Sequence, residues 1–431
     1  MVPTGLPSGT TSHKRPHRTA PAKRQPTRSR YDPAVRAIVV GAGVMGAWTA
    51  RWLRRAGHAV TLVDRFGPGN TLGSSGDVSR ITRSSHGTDR HYPVWQRRAL
   101  DEWRTLERDS GRELFVEAGV VWLASDAQTF EADSLEVLGA LGIPVERWSH
   151  DELAAKIPVL DATGVPWALF EPEGGALLAR QAVTATIEAF EAEGGEVVVG
   201  RVRPPAVTGR DALDRIELED GTTLEADAFA FACGPWLPDL FPEALGALIE
   251  PHRQDVMHFR VPPGDVRYAP GTLPIWIDFE GSFYGFPAID GVSLKACPDW
   301  LGPLERCDDS ARQCADETVE ASREVLRRRF PAVADQPVVR TWTCFYEVTP
   351  DANFVIDRHP GLANAWIAGG GTGHGFKHGP VIGEYLAGLM TGDGATIAAL
   401  GPPDSRFAIG AREARPSFRT SGRNPLSPTS A

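Results

Sequence analysis

The sequence predicts a chain of mixed class, α/β plus α+β, in which a nucleotide-binding domain is interleaved with a mainly antiparallel, sheet-rich domain. Three observations carry that expectation. From Ala37 a short apolar run, a glycine-spaced turn and an amphipathic stretch follow one another, as in a βαβ unit. Around residues 117–124 and 274–297 the pattern changes to short runs rich in Val, Phe, Tyr and Trp. From about residue 335, strand-then-helix alternation returns.

The first thirty residues carry Lys14, Arg15, Arg18, Lys23, Arg24, Arg28 and Arg30, no acid and no apolar run. Such a segment cannot bury enough surface to fold alone, so residues 1–35 are expected to be a disordered basic tail. Its Arg-rich, acid-poor composition is also that of an organelle-targeting peptide, although six prolines before residue 35 spoil an amphipathic helix. Ala37-Ile-Val-Val40 then reads as a buried parallel strand. Met45, Trp48, Trp52, Leu53 and Ala56 recur at helical spacing, and Gly57 stands where a left-handed C-cap is wanted. Ala59 to Val63 forms the second strand and ends at Asp64.

Pro93 opens a further amphipathic stretch with Trp95, Leu100, Trp103 and Leu106, and Ala182 to Ala192 reads as another helix. Residues 117–124, and the runs broken by Glu280-Gly281 and Asp290-Gly291, carry hairpin signals. Ala365-Trp-Ile-Ala368, a glycine cluster and Val381 to Met390 complete the α/β pattern. The resulting boundaries place nucleotide-binding segments at 36–116, 177–247 and 335–404, substrate-domain segments at 117–176 and 248–334, and a loose tail at 405–431.

Composition narrows the function. The chain has 431 residues, 42% of them hydrophobic and 23% charged, which is globular composition at two-domain length. The net charge is −10, and outside the basic tail 38 basic residues face 55 acidic ones. An acidic body argues against a nucleic-acid partner. No apolar stretch approaches the ~20 residues of a membrane span. The 5 cysteines form no CxxC and no spacing suited to zinc, so no metal is expected and the thiols read as reduced, in a cytoplasmic protein.

Gly41-Ala-Gly43-Val-Met-Gly46 lies between the first strand and its helix, with Asp64 closing the next strand. This is the Rossmann-type context. Gly41 makes the tight turn, Gly43 lets backbone approach a pyrophosphate, Gly46 allows helix and strand to pack closely, and Asp64 is placed to accept from ribose hydroxyls. The fingerprint alone does not separate NAD from FAD.

Four segments taken together carry more. The Asp64-Arg65-Phe-Gly-Pro run is followed by Ser74-Ser75-Gly-Asp77-Val-Ser-Arg80-Ile-Thr-Arg83, then Cys344-Phe-Tyr346-Glu-Val-Thr-Pro-Asp351, then Gly373-His374-Gly375-Phe376-Lys377. In this order they resemble the monomeric sarcosine oxidase family, a branch of the D-amino-acid-oxidase-like flavoproteins, over residues 36 to 405. The resemblance implies FAD, joined through the sulfur of Cys344. It sets Gly41, Gly43, Met45, Gly46, Asp64, Arg65, Ser75, Arg80, Val197, Cys344, Gly373, His374, Gly375, Phe376 and Lys377 against the cofactor.

It also implies that Arg83 and Lys377 clamp a substrate carboxylate, that Arg80 and Lys295 form a basic pair where oxygen is reduced, and that Tyr346 and Tyr284 line the pocket. Two departures stand out. Asp299 replaces a histidine of sarcosine-oxidising relatives, and Ser84-Ser-His86-Gly-Thr88 lacks their glutamate. Asp299 is therefore expected to meet a cationic or NH-bearing group, and sarcosine itself is not expected. The implied activity is oxidation of a secondary, cyclic or N-substituted amino acid to an imine by a monomer, with O2 reduced to H2O2. A dehydrogenase using another acceptor and a flavin-bearing subunit of a larger oxidase complex stay open.

Overall fold

In a computed structural model, residues 34–125, 130–207, 212–279, 281–410 and 412 are described. The expected basic tail up to Pro33, Glu280 of the expected hairpin turn and most of the C-terminal tail lie outside them.

β1 (Arg36–Val40), α1 (Val44–Arg55) and β2 (Ala59–Asp64) form the βαβ unit, and Gly57 takes φ +85° to turn the chain out of α1. β1 and β2 pair in parallel at the heart of a six-stranded sheet. Its order is Val355–Arg358, Ala365–Gly369, Ala228–Phe231, β1, β2, Glu196–Val199, and only the first of these runs antiparallel to its neighbour. Alternate side chains feed two cores, as a pleated sheet buried on both faces requires. Val39, Leu62 and Ala230 pack under the helices, while Ile38, Val40, Val63 and Phe231 pack on Leu237, Phe241 and Leu245.

The second body is an eight-stranded sheet, in the order Val338–Val348, Glu250–Arg260, Ser293–Pro298, Phe283–Phe286, Ile275–Asp278, Val120–Ala124, Trp167–Glu171, Glu146–Ser149. It is antiparallel except where Ile275–Asp278 meets Val120–Ala124. One face packs on helices Asp316–Arg329 and Pro331–Ala334 through Trp276, Leu326 and Phe330. The other presents Trp122, Ile277, Phe279 and Phe286 toward the site. A three-stranded sheet of Arg80–Thr82, Gly175–Leu177 and Phe115–Val116 completes the frame.

Two sequence expectations are corrected. Residues 117–124 do not form a hairpin of their own: Val120–Ala124 takes its antiparallel partner from Trp167–Glu171 and a parallel one from Ile275–Asp278. Hydrophobic alternation marks a strand but leaves its partner open. The boundary at 335 is also displaced, because Val338–Val348 pairs over its length with Glu250–Arg260 in the large sheet, so the nucleotide-side segment resumes only near residue 355.

Candidate active site

The glycine turn is built by backbone contacts. Gly41 adopts φ +100°, and a Cβ there would lie 2.4 Å from the Ala232 carbonyl oxygen. A Cβ on Gly46 would lie 1.8 Å from the Gly41 carbonyl oxygen, so no other residue lets α1 start this close to β1. At Gly43 the space is open except for Ser75 Oγ at 3.5 Å, and that hydroxyl accepts the Val44 N–H at 3.1 Å. Asp64 accepts from the Ala42 and Phe66 N–H groups, each at 2.8 Å, so the acid expected to meet ribose also braces the turn. Burial raises its carboxyl above the usual range, against those hydrogen bonds.

This turn opens on a cavity of about 380 Å³ lined by Gly41, Gly43, Met45, Asp64, Arg65, Ser75, Arg80, Cys344, Gly373, Gly375 and Phe376. Val197 is not among the lining residues. Its side chain packs against the helix-side core, and the chain reaches the cavity only past the strand end, at Gly200, Arg201 and Val202. Gly46 also stays behind the turn, where its close packing is needed. A loop of the second body reaches across to this groove. Asp308 accepts from Arg65 Nη1 at 2.7 Å, Arg201 Nη2 at 3.0 Å and Trp236 Nε1 at 2.8 Å, and Arg312 donates to the Leu72 carbonyl at 2.9 Å.

A smaller cavity, about 60 Å³, is lined by Arg80, Arg83, Tyr284, Lys295, Asp299, Tyr346, His374 and Lys377, with Trp122, Ile277, Phe279 and Phe286 as apolar walls. Cys344, Tyr346, Arg80, Gly373 and Phe376 line both cavities. The Cys344 side chain thus belongs to the wall between the two spaces. Burial pushes its thiol up, and the Arg80 and Lys295 charges work the other way.

Each cation has a defined seat. Arg83 is buried over the Trp122 ring at 4.9 Å and donates to the Ser85 carbonyl. Lys377 lies in the 3₁₀ turn Phe376–His378 at the entry to helix Gly379–Thr391 and donates to the His374 carbonyl at 3.1 Å. Lys295 Nζ lies 2.6 Å from Asp77 Oδ2 and 4.7 Å from the Phe286 ring, and Arg80 bonds the same oxygen. Tyr346 Oη donates to Asp299 Oδ1 at 3.4 Å. Burial, with the Tyr346 charge next, raises the Tyr284 phenol well above its usual range, so it is a neutral donor at this wall.

Sequence reasoning gave no role to Asp77, Glu171 or Glu347, and did not group His374 with His86 and His378. Asp77 stood in a quoted motif without a role. Glu171, at a strand end, accepts from Ser84 N, Ser85 Oγ and Trp122 Nε1, bracing the segment that carries Arg83. Its position lies 87 residues from Ser84, beyond any local pattern. Glu347 lines the large cavity and accepts from Gly370 N–H at 3.0 Å, and burial raises its carboxyl to about 7. His86, His374 and His378 pack together, with ring nitrogens within 4.8 Å of one another, His86 against Tyr92 and His374 against Phe354. Burial, then the charges of Lys377 and Arg83, holds His86 well below its usual range. The same cations oppose a metal ion there, so the cluster reads as packing behind Arg83 and Lys377.

The geometry can be set beside known proteins. The model of the FAD dependent oxidoreductase family matches residues 36–389. The chain is 31% identical to the monomeric sarcosine oxidase of Streptomyces avermitilis over 381 residues, covering 87% of this chain and 98% of that one. It is 28% identical to the N-methyl-L-tryptophan oxidase of Yersinia pestis, covering 81% and 93%. The L-proline dehydrogenase of P. horikoshii superposes with a TM-score of 0.72 at 21% identity, covering 84% of this chain and 94% of that chain, a likeness of fold.

Proposed function

We propose, given that this chain belongs to the FAD dependent oxidoreductase family and to its monomeric sarcosine oxidase branch, that it oxidises an N-substituted or cyclic amino acid to the imine and passes the electrons to O2. The observation that carries the reading is the convergence of Arg83, Lys377 and Asp299 on one small cavity that shares Arg80, Cys344 and Tyr346 as walls with the glycine-turn cavity. The relatives named for sarcosine and N-methyl-L-tryptophan support the substrate class.

The residues present fit FAD. Gly41 and Gly46 hold the turn where side chains would clash, the start of α1 offers its partial positive charge to phosphate, and Arg65, Ser75, Gly373, Gly375 and Phe376 line the same space. When bound, FAD supplies a two-electron acceptor that takes hydride equivalents from the amine carbon and delivers them to O2 as hydrogen peroxide. Cys344 is the residue that would hold it covalently.

The chain's own residues do the rest. Arg83 and Lys377 bind the substrate carboxylate and fix its orientation, a positioning effect that lowers the entropy cost of reaction. Asp299, oriented by Tyr346, accepts a hydrogen bond from the substrate N–H. Trp122, Phe279 and Phe286 exclude water, which strengthens each of these charges. Arg80 and Lys295 set a positive field where negative charge develops on oxygen. The expected setting is cytoplasmic, as a monomer.

The test is a panel of N-methyl and cyclic amino acids in an oxygen electrode with peroxide detection, followed by acid precipitation and mass analysis of the Cys344 peptide. Stoichiometric peroxide, with flavin mass on that peptide, is expected. Amine-dependent bleaching without oxygen uptake would move the electrons to another acceptor, and flavin in the supernatant would remove the covalent link.

A further inference from the structure

The two cations at the oxygen-facing wall come from different parts of the chain. Arg80 begins the strand Arg80–Thr82 of the three-stranded sheet, and Lys295 lies on Ser293–Pro298 of the eight-stranded sheet. Two like charges should drift apart, yet they share the same two acceptors. Asp77 Oδ2 accepts from Lys295 Nζ at 2.6 Å and from Arg80 Nη1. The Ser79 carbonyl accepts from Arg80 Nη1 at 2.9 Å and from Lys295 Nζ at 3.3 Å. The other Asp77 oxygen is taken by the Val78 N–H at 2.6 Å, so the carboxylate has little freedom to turn. Arg80 is pinned from behind by the Ser74 carbonyl, 2.6 Å from Nη2.

We propose that Asp77 is a positioning residue of the oxidative half-reaction: its single buried carboxylate joins Arg80 and Lys295 into one fixed centre of net charge +1 against the small cavity. The inference rests on the oxidase reading for its kinetic consequence and on geometry alone for the gathering itself. Burial by itself would raise the Asp77 carboxyl, but Lys295 and Arg80 overcome it and hold it well below the usual carboxylate range, so the centre keeps its one negative member at neutral pH. His258, opposite Lys295 across the sheet, adds no charge, since burial and then Lys295 hold it near 4.

The arrangement has a functional logic. Oxygen accepts its first electron as a developing anion, which needs a preset positive charge close by. Two uncompensated cations in a dry wall would each bear a large desolvation cost. One carboxylate shared between them removes most of that cost and leaves a surplus of one positive charge aimed at the cavity. A carboxylate pairing with only one of them would leave the other to swing away.

The test uses the holoenzyme and two readouts. The chain has only five lysines, Lys14, Lys23, Lys156, Lys295 and Lys377, so in ¹⁵N-lysine-labelled protein the Lys295 ammonium signal can be assigned by its loss in Lys295→Arg. It is expected to be sharp and slow to exchange with water, to vanish in Asp77→Asn and to return in Asp77→Glu. Stopped-flow reoxidation of the amine-reduced enzyme by O2 is expected to slow about 100-fold in Asp77→Asn, at least about 10-fold more than anaerobic reduction by the amine.

Equal loss in the two half-reactions, or a Lys295 signal unchanged in Asp77→Asn, overturns the proposal. Should Asp77→Asn fail to fold, a fast-exchanging Lys295 signal in the unaltered enzyme overturns it and a protected one upholds it. A protected signal that depends on Asp77, in an enzyme that O2 does not reoxidise, upholds the gathering and rejects the oxidase reading instead.

Discussion

The large cavity and the small one are made in opposite ways. The first is framed by backbone, by a turn in which Gly41 and Gly46 leave no room for side chains and by the second glycine cluster at Gly369 to Gly375. The second is made of side chains, four cations and one carboxylate among aromatic rings, delivered by strands of two sheets, by the residues that follow those strands and by the 3₁₀ turn of Lys377. A backbone site is local in sequence and unforgiving of bulk. A side-chain site is assembled over long distances and tolerates change in shape better than change in charge.

That contrast can be broken most severely at Gly46. Gly46→Val places a branched side chain where even a Cβ lies 1.8 Å from the Gly41 carbonyl, and the expected result is protein that purifies without flavin colour and melts well below the parent. Absorbance near the flavin bands and a thermal scan check it, and a yellow, equally stable variant would remove the glycine argument. Next in size is Arg83→Met, which keeps length and apolar packing over Trp122 while deleting the charge. It should lower kcat/KM for the amine by about 1000-fold with flavin content unchanged, in the manner of a lost bidentate anchor.

On the cofactor side the buried acid is Glu347. Its folded-state carboxyl is raised to about 7, so the folded protein holds a proton that the unfolded chain releases near the ordinary glutamate range. Stability from this group is therefore present at low pH and declines as pH rises from about 4.5 to about 7, by roughly 3 kcal/mol at most. Denaturant titrations of apoprotein at pH 5 and pH 8 should show that decline, and Glu347→Gln should flatten it. An identical pH dependence in both proteins would assign the effect elsewhere. The smallest change is expected at Asp299. Asp299→Asn keeps the shape beside Tyr346 but loses the charge, and kcat/KM for N–H-bearing substrates should fall about 10-fold, close to one charged hydrogen bond.

What the sequence made legible follows the same division. The turn, α1, β2 and the closing acid could be read because each contact spans few residues, and helix His91–Ser110 followed its tryptophan spacing. The placing of Cys344 and Tyr346 on the large sheet was not legible, since their strand's partner is Glu250–Arg260, nearly a hundred residues earlier, and no local pattern announces it. Asp77 and Glu171 were invisible for a related reason. An acid in a loop or at a strand end reads as solvated until the fold buries it among donors. Val197 is the reverse case: its strand runs near the groove while its side chain turns into the core.

The order in which the walls of the groove appear along the chain has a consequence for synthesis. Gly41 to Ser75 emerge first, Arg201 and Trp236 far later, Cys344 to Phe376 near the end, and the Asp308 clasp lies between. A growing polypeptide thus owns the phosphate-facing turn for most of its translation without owning a container. Loading of a coenzyme is then expected only once Phe376 has emerged, and a premature stop before it is expected to yield a product without flavin.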